Sequence, residues 1–425
     1  GDTGAAAAIE FLQANPTSIG VRESGLAEQS LLAFRVTDNN GVAVPGQVVE
    51  FDITSIGGES VNPVAAVTDV NGRVETTLTS GTRSTTVRVT ARADSDNNGS
   101  LDVAGQSTAV AILGAPPAFN RFSVGPLLRN VAGRVVFGIE DPISIFVNDR
   151  FGNAVPPGTS VSLITNGASV VDQTSTNENG VASAILLTEG VVPQTGIVTV
   201  LAFTRGEETF IDNNGNGVFD SGTDSILTDD TDEPFIDFRP LPMDLAGAGP
   251  DDTACTIPIP SALCNNAFDI NEQFELFVDT QPIDGAWNSQ GTTGVWDKEI
   301  LVWAATTVTF SGPTETVEAT PTNFVIPNGG SAAFTLLVHD DLRNPLVGGS
   351  TISVTANAGD LLGGDITIPD GQSFNQLKNG LTRFTFVLTD SDAADTDPAE
   401  PTSITVEVTS PNGNRAVVVA SGTID

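Results

Sequence analysis

Residues 34–51 read FRVTDNNGVAVPGQVVEF. An alternating run ends at Asp38, a polar turn of Asn39, Asn40 and Gly41 follows, and beyond Pro45-Gly46 a second alternating run begins at Val48. Asn and Gly suit turns that need positive φ, and alternation with a period of two marks a strand with one buried face. So early a turn leaves no room for an apolar stripe of helical period. The plan recurs in IFVNDRFGNAVPPGTSVSL at 145–163, around Asp149, and in LLVHDDLRNPLVGGSTISV at 336–354, around Asp340. Downstream of each, an Asn-Gly turn launches another alternating strand: NGRVETTLTS at 71–80, NGVASAILLT at 179–188 and NGLTRFTFVLT at 379–389. Apolar strands close the copies, TTVRVTARA, GIVTVLAFT, and SITVEVTS with RAVVVAS.

Three tandem β-sandwiches are the economical reading of an internal repeat, and the fold class is all-β. A chain of 425 residues exceeds one core, and its 43 Gly and 25 Pro punctuate the whole length. The strand, the D-x-x-G-x-x-V-P-G turn and the later T-D-x-N-G-x-V strand resemble bacterial Ig-like domains of the invasin and intimin type. The first copy matches best; the second has an extra residue before Gly158, and the third lacks the Pro-Gly turn. The resemblance implies a rod of sandwiches on a bacterial surface, used in adhesion, stalks or fibres, and it implies no active site.

The spacing of the copies exposes an insertion. Asp38 and Asp149 stand 111 residues apart (149 − 38), Asp149 and Asp340 stand 191 apart (340 − 149), so about 80 residues are surplus. They fall between Gly206 and Lys298, a segment whose only basic residues are Arg239 and Lys298. The expected division is residues 1–115, 116–205 and 299–425 for the three Ig-like domains, with 206–298 a loop-rich acidic insertion on the second.

The insertion holds the strongest ligand pattern, DNNGNGVFDSGTD at 212–224. Calcium loops of the EF-hand kind take oxygens from positions 1, 3, 5 and 9 and a carbonyl from position 7, with Gly at 6 for the turn. Asp212, Asn214, Asn216, Asp220, the Val218 carbonyl and Gly217 meet these requirements. Thr223 stands where a bidentate Glu belongs, so Asp224, Asp232 or Glu233 is expected to complete the shell. A second loop, DSDNNGSLD at 94–102, offers Asp94, Asp96, Asn98 and Asp102 after a comparable strand. Acidic Asx-rich turns that bond only their own backbone are the plain alternative at both places.

Cys255 and Cys264, in CTIPIPSALC, fit a short disulfide in an oxidising compartment better than a zinc site. With 53 acidic and 17 basic residues the formal net charge is -36; this disfavours nucleic acid, which needs a basic stripe. No stretch is long and apolar enough to span a bilayer, and the opening GDTGAAAA reads as a mature end left by signal removal. His339, the lone histidine, stands at a strand-end turn without a nucleophile motif, and paired carboxylates have no specificity in so acidic a chain, so no enzyme is expected. Trp296 and Trp303 are expected to pack at a strand entering the third domain. The expected role is an extracellular structural protein, a filament, sheath or stalk subunit stiffened by calcium. In it the segment from Ala5 to Gln13 adds a strand to a neighbouring copy. The alternative is an adhesin that binds a surface ligand through 206–298.

Overall fold

The computed structural model describes residues 4–229, 231–236, 275–280, 283–372, 379–391 and 398–425. Among them the chain is all-β, with one 3-10 turn at Phe119–Arg121 and no helix long and apolar enough to cross a membrane. The Asn-Gly strands bury every second residue, as alternation requires: Val74 and Leu78, Ala182 and Leu186, Phe384, Phe386 and Leu388 all point inward. Burying one such aliphatic or aromatic side chain contributes about 1.5–3 kcal/mol, and each copy gathers its own core of them. Phe34 and Leu78 anchor the first, Ile145 and Phe310 the second, Phe334 and Phe386 the third.

Each copy enters by a split strand. In the first, Ala8–Asn15 runs antiparallel to Gln29–Thr37, and Ser18–Gly20 then crosses to lie parallel to Val110–Leu113. In the second, Phe122–Pro126 pairs with Glu140–Val147, and Asn130–Val131 lies parallel to Ile300–Phe310. In the third, Thr314–Thr320 pairs with Ser331–Asp340, and Asn323–Ile326 lies parallel to Arg415–Ile424.

One expectation changes here. Ile300–Phe310 does not open the third sandwich: it pairs along its length with Ile197–Gly206, and Ile300, Val302, Val308 and Phe310 fill the second core. The third sandwich therefore begins near Thr314, and the insertion lies between the last two strands of the second. Its place matches the Asp94 loop, which joins Thr90–Ala93 to Val103–Gln106 in the first copy. Within the single chain, Ala8–Asn15, part of the segment expected to add to a neighbouring copy, pairs with Gln29–Thr37, and Ile9 is buried in the first core.

Candidate functional site at the domain joints

The aspartate that defines each copy shapes its own turn with one oxygen. Asp38 Oδ1 accepts the N–H of Asn40 and Val42, Asp149 Oδ1 those of Phe151 and Asn153, and Asp340 Oδ1 those of Leu342 and Asn344, all at 2.8–2.9 Å. The other oxygen reaches the segment that enters the domain. Oδ2 accepts from Gly4 N at 3.2 Å in the first copy, from Ala115 N at 2.9 Å in the second and from Gly312 N at 2.7 Å in the third. One carboxylate thus fixes both a hairpin and the connection to what precedes it.

In the second and third copies the residue four positions on is an asparagine that grips the preceding sandwich. Asn153 donates from Nδ2 to Thr82 O and accepts from Ser84 N, both at 3.0 Å, and Asn344 donates to Thr195 O at 2.9 Å. The first copy has Val42 in that place, 47% exposed. Docking also changes the carboxylates. Burial raises the pKa of Asp149 and Asp340, whereas backbone hydrogen bonds from Val42 and Asn40 hold that of Asp38 below the usual carboxylate range.

The joint between the second and third sandwiches has further ties. Asp370 accepts from Arg129 N and Asn130 N at 2.9 Å, Asn130 Nδ2 donates to Pro345 O at 3.0 Å, and Arg134 forks onto Asp341 at 2.5 and 2.7 Å. Asp141 is wholly buried beneath this joint; burial and the charge of Asp370 push its pKa up to about 6.

At the joint between the first and second sandwiches the insertion takes part. Glu207 pairs its main chain with the linker, donating to Pro117 O at 2.8 Å and accepting from Phe119 N at 3.1 Å. Arg150 is buried against it. Its guanidinium donates to Glu207 Oε1 at 2.7 Å and to Arg22 O at 2.8 Å, and lies 4.4 Å from the Phe151 ring centre and 5.3 Å from that of Trp296. Burial dominates Glu207 and pushes its pKa up to about 7, against the pull of Arg150. From the far side, Arg22 donates to Asn216 O at 2.5 Å and Lys298 Nζ to Glu23 Oε2 at 2.8 Å. The loop of the first sandwich at residues 22–23 is therefore held between Arg150 and the insertion.

Asn216 belongs to the predicted calcium loop, which the fold brings together. Asp212 accepts from Gly215 N and Asn216 N on Oδ1 and from Gly217 N on Oδ2; the amides of Asn214 and Asn216 both reach Asp220 Oδ2, at 2.8 and 2.7 Å. Those two amides lower the pKa of Asp220. Asp224 closes the loop by accepting from Asn213 N and Asp220 N. Gly217 takes φ 77°, the left-handed turn its position demands, and the Val218 N–H donates to Asn216 Oδ1. Asp232 and Glu233 do not join this shell: Asp232 bonds Ser289, and Glu233 accepts from Thr280 and Asn288, because their chain segment packs on the second sandwich instead. The donor set is mixed; among the described residues no three His, Cys, Asp or Glu side chains cluster closely enough to hold a metal by themselves.

At the other loop Asp94 accepts from Asp96 N, Asn98 N and Gly99 N, repeating the Asp212 pattern, and the Gly99 bond foremost lowers its pKa. Asp102 is turned to Ser95, accepting from its N–H and its hydroxyl. This loop is exposed. Cys255 and Cys264 lie outside the described residues.

The tryptophans pack, but in the second sandwich and its insertion and not at the third. Trp296 donates to Glu208 O and meets Phe210 and Phe219; Trp303 donates to Asp232 O and meets Phe119 and Phe235; Trp287 donates to Glu233 O and meets Phe235. His339 is buried at the end of its strand, its Nδ1 2.7 Å from Asp340 O. The joint residues Arg22, Arg150, Asn153, Glu207 and Asn344 carry no motif of their own. The one sequence signal for them is the D-x-x-x-N spacing shared by the second and third copies and broken at Val42 in the first.

No curated protein matches the chain. Among solved structures, FdeC, described as a broadly conserved Escherichia coli adhesin, is similar over 100% of this chain and 99% of its own, at 14% identity and a TM-score of 0.41. Invasin, described as a bacterial integrin-binding protein, is similar over 98% of this chain and 60% of its own, at 12% identity and a TM-score of 0.26. The D0-D1 domain of intimin covers 46% of this chain and 90% of its own, at 19% identity and a TM-score of 0.20. Residues 27–106 match the bacterial Ig-like domain family, group 1, which agrees with a surface-exposed chain at or outside the cell boundary. That match lies within the first of the three sandwiches, whose strands run from Ala8 to Leu113.

Proposed function

We propose that the chain is part of a bacterial surface adhesin, a stalk of Ig-like sandwiches with locked joints that holds a recognition surface on the 206–298 insertion away from the cell. The observation that carries this is the repeated grip at both joints, Asp149 with Asn153 and Asp340 with Asn344, each tying a sandwich to its linker and to the sandwich before it. Such ties suit a rod that transmits force and leave little freedom for domains to close on a substrate. A filament built by strand addition would need Ala8–Asn15 to leave its place beside Gln29–Thr37.

Calcium is part of this proposal. Asp212, Asn214, Asn216, the Val218 carbonyl, Asp220 and Asp224 supply oxygens of the kind calcium prefers, and a cation there would replace the amide N–H groups that now face Asp220. Because Asn216 O is held by Arg22, ordering that loop would also stiffen the first joint. Asp94, Asp96 and Asn98, with Asp102 turned away, form a weaker candidate.

Small-angle scattering of the whole chain with calcium should give one extended rod, and beads coated with it should attach to host cells or matrix. Scattering from a compact or freely jointed chain would sink the stalk, and beads that attach no better than albumin-coated ones would sink the adhesin.

A further inference from the structure

Among the described residues, Ile300–Phe310 is paired along one side with Ile197–Gly206 and on the other side only at Thr309 and Phe310. Its odd-numbered residues turn their N–H and C=O groups to that open side. Two glutamine amides cover the ends of the gap. Gln290 accepts from Leu301 N at 2.8 Å and donates to Leu301 O at 3.1 Å, and Gln372 of the third sandwich donates to Thr307 O at 2.7 Å. Between them, among the described residues, no strand pairs with Trp303 or Ala305 on this side. Trp303 and Ala305 line a groove of about 380 Å³ together with Phe235, Arg129 and the strand residues Val124 and Pro126.

The Arg129 N–H is committed to Asp370, but among the described residues its exposed guanidinium has no hydrogen-bond or ion-pair partner. From Trp303 to Ala305 the uncovered edge runs two residues, roughly 7 Å, too short to seat a partner strand and about the width of one sugar ring. An aromatic face, free main-chain donors and acceptors and an unpaired guanidinium fork are the groups that hold a pyranose bearing a carboxylate. The net charge of -36 repels an acidic chain at long range, so binding here depends on the short-range fork of Arg129 and should weaken as ionic strength falls.

We propose that this groove binds a uronic-acid unit of an acidic polysaccharide. The assignment names a ligand class for the adhesin reading and rests on that reading for its biological use, but binding in solution tests it separately. Titration calorimetry of the whole chain with a hyaluronan tetrasaccharide, and with maltotetraose as the neutral control, reads it directly. The acidic sugar should bind at least about tenfold more tightly than the neutral one, and Arg129→Gln should remove that preference while the melting temperature stays unchanged. Ala305→Glu, at an exposed position facing the groove, should weaken the acidic sugar by at least about tenfold through charge and bulk. No heat with the acidic sugar at millimolar concentration, equal binding of both sugars, or binding unchanged in both variants would overturn the assignment. A chain that binds the sugar yet fails to attach beads to cells would keep the groove and refute adhesion.

Discussion

Replacing Asp141 by Asn probes how the second joint holds charge. Asp141 Oδ1 accepts from Leu128 N at 2.9 Å, while Oδ2 is buried without a partner, and the Asp370 carboxylate adds repulsion. Its pKa rises from 3.8 to about 6. A folded-state value above the unfolded one means that the folded chain keeps a proton the unfolded chain releases, so stability falls as pH rises from about 4 to 6 and the deficit is complete above that window. A rise from 3.8 to about 6 corresponds to a deficit of about 3 kcal/mol at neutral pH. Asn keeps the acceptor for Leu128 N but buries an unbonded amide N–H, costing about 1 kcal/mol at any pH. Asp141→Asn should therefore stabilise by about 1–2 kcal/mol at pH 7.5 and destabilise by about 1 kcal/mol at pH 4. All three tryptophans lie in the second sandwich and its insertion, so fluorescence in urea follows the unit that holds Asp141. A mutational effect of the same sign and size at both pH values would refute the reasoning.

Arg150→Met should leave Glu207 buried and uncompensated, costing about 3–4 kcal/mol in the same urea assay, and adding Glu207→Leu should recover most of it. Asn153→Ala removes bonds to Ser84 N and Thr82 O; it should cost about 2 kcal/mol and speed hydrogen exchange of the Ser84 amide, which would stay protected if the grip were incidental. Calcium at 100 times its dissociation constant should stabilise the second sandwich by about 2.7 kcal/mol; EDTA or Asp212→Ala should abolish this, and melting unchanged by either would remove the Asp212 loop as a calcium site. Phe334 stacks on Phe386 at 5.0 Å in the third core, so Phe334→Ala should cost about 3–5 kcal/mol by calorimetry without altering the tryptophan transition.

The three hairpins and their Asn-Gly strands were legible in the sequence because each depends on local turn chemistry and on alternation over a few residues. The third turn shows how far that holds: Arg343 takes a left-handed φ of 65° where Gly41 and Gly152 take 77° and 82° in the other copies, so the shape is kept without a glycine. Strand partnership was not legible. VWAATTVTF alternates well enough to begin one sandwich or to end another, and only its long-range pairing with Ile197–Gly206 decides between them. The side chains of the Asp212 loop converge because the spacing of its Asp and Asn residues is local. Arg150 could not be singled out, since Arg22, Glu207 and Trp296 come to it from distant parts of the chain.

The late arrival of Ile300–Phe310 sets an order of events during synthesis. The first sandwich has all its strands once Leu113 has emerged, whereas the second lacks its closing strand until Phe310 has. Meanwhile Ile197–Gly206, with six consecutive residues destined for burial, has one edge bare while 93 further residues are made (299 − 206). Closing so long a span costs about 2 kcal/mol more chain entropy than closing the hairpin that carries the Asp94 loop. A nascent chain with that bare edge invites pairing with its neighbours on the same messenger. The acidic character of the intervening segment opposes such pairing, because its charge repels other copies of itself.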